Sequence, residues 1–145
     1  MTNYSKSYSL GTGVEREQLS IYDIRVDYDE HKNGNPYNTT FEIYVVSGNF
    51  TGVAIFEYDI KHFILFINAI KDLYDLKVST VELNQDLSYG SKISFELDKT
   101  GHVKISGILI GNMGIHSLIF EFTTDQTAIG PFYSALYEDF ILNND

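Results

Sequence analysis

Apolar residues change their spacing near the middle of the chain, and this change limits the folds open to it. Between residues 60 and 74 they recur every three or four positions, at Ile60, Phe63, Ile64, Ile67, Ile70 and Tyr74. This spacing predicts an amphipathic helix, and Asp59 directly before it is a suitable N-cap. The segments on either side alternate apolar and polar residues instead, which predicts strands before and after the helix.

Three strands are expected before this helix. They cover residues 18–26, 41–46 and 50–58. Turn-forming residues at 29–36 and 47–49 separate them, so we expect the three strands to pair as a meander.

Four more strands are expected after the helix, at residues 78–84, 92–98, 102–111 and 114–123. The loops between the last three are short and glycine-containing, which predicts hairpins. A second helix follows, for which Asp125 is a possible cap and Pro131 fits a first turn. Its apolar face consists of Ile129, Phe132, Tyr133, Leu136 and Phe140.

The resulting order βββαββββα predicts an α+β fold, with a mostly antiparallel sheet of about seven strands and two helices. The loops between strands are too short for the crossovers that parallel pairing requires. A chain of 145 residues with 43% hydrophobic residues fits a single domain over residues 1–145. We expect polar residues 1–13 to form a loose N-terminal arm or a short edge strand.

The charge of the chain excludes several kinds of partner. There are 20 acidic and 10 basic residues, which gives a net charge of -10. This charge disfavours direct binding to nucleic acid or to an anionic membrane, and it favours a basic protein partner. No apolar run approaches the roughly 20 residues of a membrane span and no signal sequence is visible, so we expect a cytoplasmic protein. The absence of cysteine excludes disulfides and thiolate chemistry.

Residues that could catalyse a reaction or bind a metal form no recognisable motif. The histidines lack metal-ligand spacing; they are His31, His62, His102 and His116. Residues 27–31 combine three carboxylates with a histidine but lack the glycine and the distal glutamate of a calcium loop, so we expect a solvated hairpin end there. The sequence therefore predicts no catalytic residue, no metal, no cofactor and no enzymatic activity.

Four segments, in order along residues 20–142, resemble the WapI family of small bacterial proteins. They are residues 48–52 (Gly-Asn-Phe-Thr-Gly), 63–74, 101–107 and 120–127. The most specific is the last, an aromatic strand that runs into Asp125, Gln126 and Thr127 before a helix. We expect Asp125 and Thr127 to fix this corner by capping, and Gly101 to supply a turn conformation closed to other residues.

The resemblance implies an immunity protein. Such a protein binds the C-terminal toxic domain of a contact-dependent, polymorphic toxin and blocks it inside the producing cell or its siblings. In the case that gives the family its name, the toxin acts on tRNA. A nuclease is basic where it holds RNA, and an inhibitor with a net charge of -10 complements such a cognate toxin domain.

The expected partner-binding residues are acidic and tyrosine side chains outside the predicted core. They are Tyr28, Asp29, Glu30 and Tyr37 on the first hairpin, and Asp72 and Asp75 on the helix. Two alternatives stay open. The 11 tyrosines are also compatible with a sheet face that binds a small ligand or carbohydrate without catalysis, and an exposed apolar patch around Leu65 is compatible with a homodimer.

Overall fold

The computed structural model describes residues 1–85 and 90–143, except for the side chain of Asn112, and these residues form an α+β fold. The strands are β1 (Thr2–Tyr4), β2 (Tyr8–Gly11), β3 (Glu17–Val26), β4 (Thr39–Ser47), β5 (Phe50–Tyr58), β6 (Thr80–Asn84), β7 (Lys92–Leu97), β8 (His102–Ile110) and β9 (Ser117–Asp125). The helices are α1 (Tyr28–Lys32), α2 (Ile60–Tyr74) and α3 (Gln126–Tyr137), with a 3₁₀ turn at Asn112–Gly114 and a π-helical turn at Glu138–Leu142.

Two antiparallel sheets are present, where the sequence predicts a single sheet. In the first, β3, β4 and β5 pair as the predicted meander, and β1 and β2 both pair with the outer side of β3. The second has the order β6-β7-β8-β9. The α+β class and the antiparallel pairing are confirmed. The expected seven strands and two helices are too few, because β1, β2 and α1 are too short to give a periodic signal.

The N-terminal residues form short edge strands, the second of the two structures expected for them, and not a loose arm. Both β1 and β2 are hydrogen-bonded to β3, and Tyr8 and Leu10 are only 2% and 1% exposed. The Tyr8 hydroxyl donates a hydrogen bond of 2.6 Å to Asp139 Oδ2 in the π-helical turn. Burial first, and then Asp139, raises the pKa of Tyr8 well above its usual range. The first strands are therefore fixed to the C-terminal end of the chain.

The strand β9 lies across the first sheet and does not pair with it. Near its start, the Leu118 side chain lies against Gly52 of β5. Near its end, the Thr124 hydroxyl donates a hydrogen bond of 2.9 Å to the carbonyl oxygen of Gly11 in β2. The strand register places Gly52 and Gly11 at the same end of the first sheet, near its opposite edges. This crossing explains why the strands form two sheets.

The helix α2 has the bounds that its sequence pattern predicts, and it fills the space between the sheets. Its N-cap is Asp59, whose side chain accepts a hydrogen bond from the Lys61 N–H. The Phe63 ring lies 5.0 Å from that of Phe41 in the first sheet, and the Phe66 ring lies 5.9 Å from that of Phe95 in the second. One helix face thus joins both sheets into one core.

The second predicted helix is also present, but Pro131 is not in its first turn. The helix α3 begins at Gln126, so that Pro131 is its sixth residue. Asp125 is the N-cap, and its carboxylate accepts hydrogen bonds from the Thr127 and Ala128 N–H groups. The capping role expected for Asp125 and Thr127 is confirmed.

The glycine at position 107 is required by the close approach of β8 to β7. A Cβ atom at this position would lie 2.1 Å from the carbonyl oxygen of Lys92. We therefore expect Gly107→Ala to lower the free energy of unfolding by about 3 kcal/mol, measured by urea denaturation. Gly111→Ala is the matched control, because its Cβ would lie 3.5 Å from the nearest atom, and its effect should stay within about 0.5 kcal/mol. Equal effects of the two changes would contradict the steric explanation.

Candidate functional site

Four of the predicted partner-binding residues lie at one corner of the molecule, around α1. Asp29 and Glu30 are exposed on this helix, and Tyr37 is exposed in the loop that follows it. Tyr28 is half-buried, and its hydroxyl lies 2.9 Å from the hydroxyl of Tyr4. This corner, residues 27–38, is not the simple hairpin end that the sequence suggests, because α1 interrupts it.

Hydrogen bonds to buried groups hold this corner in one position. Asn38 is buried, its side-chain oxygen accepts a bond of 2.8 Å from the Ile60 N–H, and its amide donates one of 3.3 Å to Asp59 Oδ1. His31 Nδ1 lies 3.6 Å from the same carboxylate oxygen. Burial acts to raise the pKa of Asp59, but these hydrogen bonds, that of the Lys61 N–H and the histidines outweigh it and lower the pKa. The exposed carboxylates nearby are thus presented from a fixed backbone.

The other two predicted residues lie at the far end of α2. Asp75 is the C-cap of this helix, and its carboxylate accepts a hydrogen bond of 3.0 Å from Lys71 Nζ. Asp72 is half-buried one turn earlier. At a rise of 1.5 Å per residue, Asp75 lies roughly 24 Å along the helix from Asp59. The structure therefore places the six predicted residues in two separate groups.

A second cluster of titratable groups forms where the β7–β8 turn meets the start of α3. Asp98 Oδ2 lies 3.8 Å from His102 Nδ1, and the Thr100 hydroxyl lies 2.7 Å from the same nitrogen. Asp98 also accepts hydrogen bonds from the N–H groups of Thr100 and His102. Gly101 in this turn has φ +87°, which confirms the expected left-handed conformation. The cluster is exposed, and its carboxylates close a turn and cap a helix, so it is a structural corner.

This corner predicts how stability depends on pH. Hydrogen bonds from Thr100 lower the pKa of Asp98, and hydrogen bonds from Thr127 and Ala128 lower the pKa of Asp125. A lowered folded-state pKa favours the ionised form, so this stabilisation is complete above the unfolded value of 3.8 and is lost as the pH falls through the folded values. We expect Asp98→Asn to reduce the loss of stability between about pH 4 and pH 2, measured as the urea midpoint.

Thr100→Val tests the cause of this effect. The change removes a hydroxyl donor but keeps the carboxylate, so it should raise the pKa of Asp98. It should therefore also reduce the fall of the urea midpoint at low pH. If the urea midpoint fell as steeply between about pH 4 and pH 2 in both variants as in the parent chain, the stabilising role of the hydrogen bonds to Asp98 would be contradicted.

Large exposed apolar side chains form a third candidate site, which the sequence analysis does not identify. Phe50 and Ile119 are 69% and 79% exposed, and they line a cleft of about 330 Å³ with Ser47, Ser117 and Leu118. A neighbouring cleft of about 290 Å³ continues past Gly52 and Val53 and shares Ser117 and Leu118. We call this continuous groove between β5 and the start of β9 the edge cleft. Met113 and Ile115, in the connection before β9, are also highly exposed.

The sequence does contain a signal for the exposure of Ile119, one of the residues that line the edge cleft. Leu118, Ile119 and Phe120 are consecutive apolar residues in one strand, and successive side chains of a strand point to opposite faces. With Phe120 in the core, Ile119 must lie on the outer face. The same argument places Val53 and Ile55 on the outer face of β5, where both are partly exposed.

Tyrosine side chains on the outer face of the first sheet bear on the ligand-binding alternative. Tyr22 in β3 lies opposite Glu42 in β4, and Tyr44 lies two residues further along β4. Both rings are half-buried. Burial first, and then the charge and hydrogen bond of Glu42, raise the pKa of Tyr22. Only part of each ring is therefore accessible for stacking against a sugar.

The chain matches no family model, no curated protein and no solved structure. Within residues 1–85 and 90–143, no group of three or more His, Asp or Glu side chains is placed to hold a metal ion. No helix among these residues is long and apolar enough to cross a membrane. A functional proposal therefore rests on the charge and the surface of this chain.

Proposed function

We propose that this chain is an immunity-type protein that binds a basic toxin domain of the nuclease class and covers its active site without chemistry of its own. The observation that carries this proposal is the edge cleft on a chain of net charge -10. Exposed apolar patches rimmed by polar residues are typical of protein-binding surfaces. The four segments that resemble the WapI family support the same function.

The apolar residues of the edge cleft supply the affinity in this proposal. Phe50 and Ile119 keep most of their surface exposed in the free chain, and burying one such side chain contributes roughly 1.5–3 kcal/mol. Aromatic anchors of this kind dominate the binding energy of many protein interfaces. Phe50 lies directly after the β4–β5 turn, where the chain presents it to a partner without disturbing the core.

In this proposal, the acidic charge raises the rate of association and selects basic partners. An excess of ten negative charges attracts a basic domain over distances longer than a contact, and it repels acidic proteins. Asp29 and Glu30 at the α1 corner contribute to this field from the other end of β4. In this proposal they steer the partner, while the edge cleft holds it.

The function is tested by co-expression with the neighbouring open reading frame, whose product is the candidate toxin domain. Growth is scored for the toxin domain alone and with this chain, and complex formation is measured by co-purification. Rescue of growth together with a stable complex is the expected result. A toxic neighbour that is neither bound nor neutralised would overturn the proposal for that pair, and the small-ligand alternative would then be tested.

The role of Phe50 gives a specific prediction. Phe50→Ser should weaken the complex by at least about tenfold, which corresponds to roughly 1.4 kcal/mol, in a titration by calorimetry. Leu65→Ser is the matched control, because Leu65 is 60% exposed on α2 and lies outside the edge cleft. It should change the dissociation constant by less than about twofold. If Leu65→Ser weakened the complex more than Phe50→Ser, the interface would lie at the exposed surface around Leu65 and not at the edge cleft.

The steering role of the α1 corner gives a prediction about rates. Asp29→Asn combined with Glu30→Gln should lower the association rate constant by roughly threefold and leave the dissociation rate nearly unchanged, by stopped-flow fluorescence. Lys32→Gln on the same helix should raise the association rate. Both effects should vanish in about 1 M salt, where the Debye length is roughly 3 Å. A changed dissociation rate would show direct contact at this corner.

A further inference from the structure

We propose that the outer edge of β9 binds an extended, basic segment of the partner as an additional strand, with an apolar side chain of that segment in the edge cleft. The identity of the partner rests on the proposed function, whereas the binding mode rests on the backbone of β9 alone. Strand addition to a free sheet edge gives affinity through main-chain hydrogen bonds and specificity through side-chain pockets.

The direction of the backbone groups shows which residues face this edge. The Gly111 N–H donates to the His116 carbonyl at 2.9 Å, and the Gln126 N–H donates to the Gly101 carbonyl at 3.2 Å. Hydrogen-bonding direction alternates along a strand, so the even-numbered residues between them pair with β8. The N–H and C=O groups of the odd-numbered residues Ser117, Ile119, Glu121 and Thr123 point away from β8. No strand among the described residues pairs with this edge.

The free edge of β5 is protected, in contrast to that of β9. The Gln85 side-chain amide donates a hydrogen bond of 2.6 Å to the Ile55 carbonyl, and Leu118 lies against Gly52. Folded proteins cover or charge their sheet edges because an open edge recruits other strands. The edge of β9 at Ile119 is left open beside an apolar cleft, and this combination favours a strand as its occupant.

The charges around the cleft select the kind of strand. Glu121 follows Ile119 on the exposed face of β9, and Glu17 lies opposite Ser47 at the other side of the cleft. Lys104 lies 3.9 Å from Glu96, whereas Arg16 donates to the neutral amide of Asn49 at 2.8 Å and keeps its charge. Two copies of this chain would bring two charges of -10 together, which disfavours a homodimer through β9. A segment with lysine or arginine next to an apolar residue complements this edge.

The experiment uses a proline that blocks only the free edge. Ile119→Pro removes an N–H that points away from β8, so the pairing within the sheet is kept. Thr80→Pro is the matched control at the opposite edge of the same sheet. The Leu97 N–H donates to the Ser79 carbonyl, so the Thr80 N–H also points outward. The free energy of unfolding of each variant should lie within about 1 kcal/mol of that of the parent chain, measured by urea denaturation.

Two probes are measured with each variant. The first is the neighbouring toxin domain, and the second is a peptide of about ten residues that alternates lysine and valine, with a glutamate-valine peptide as its counterpart. We expect both basic probes to slow amide hydrogen exchange at Ile119 and Glu121. Ile119→Pro should weaken their binding by at least about tenfold, and Thr80→Pro by less than about twofold.

The outcomes separate this inference from the proposed function. If the toxin domain binds, but Ile119→Pro has no effect and the β9 amides are not protected, strand addition is overturned while the immunity function stands. If the toxin domain does not bind but the lysine-valine peptide protects β9, the edge site is supported and the immunity proposal fails. If neither probe binds, or if the glutamate-valine peptide binds equally well, the edge site is overturned.

Discussion

The close crossing of β9 over the first sheet is the contact on which the rest of the structure depends. A Cβ atom at position 52 would lie 2.9 Å from the Leu118 side chain, so glycine allows the two strands to approach this closely. At the other end of β9, the hydrogen bond from Thr124 to Gly11 fixes the angle of the crossing. The space that this angle leaves between the sheets is filled by α2, through Phe63 and Phe66. The angle between the sheets, the position of α2 and the packing of the core therefore all depend on this crossing.

The same crossing creates the candidate binding surface. Because β9 runs across the first sheet, it does not pair with β5, and no strand in residues 1–85 and 90–143 pairs with its outer edge. The crossing also brings the start of β9 next to the β4–β5 turn, so that Ile119 and Phe50 face one cleft. Neither side chain is needed for the core, since both are mostly exposed. The candidate surface is therefore a consequence of the architecture.

Local signals in the sequence predict the elements, and contacts distant in sequence decide their arrangement. The spacing from Ile60 to Tyr74 and the Asp59 cap define α2, because both act within one helix. The alternation in residues 50–58 predicts β5 for the same reason. The short β1 and β2 have no such pattern, and their position depends on pairing with β3 and on the bond between Tyr8 and Asp139. The edge cleft depends on Gly52 meeting Leu118, more than sixty residues away, and no local rule predicts that contact.

An open apolar edge and a large acidic charge are each a disadvantage alone, and together they give selectivity. The edge by itself would recruit strands of any protein, including copies of this chain. The charge by itself would oppose compactness and bind basic groups weakly. In the proposed binding mode, the charge repels acidic strands and attracts basic ones towards β9, where backbone hydrogen bonds and the edge cleft would retain them. Because Glu121 lies within the open edge itself, this discrimination acts at the place where a strand would add.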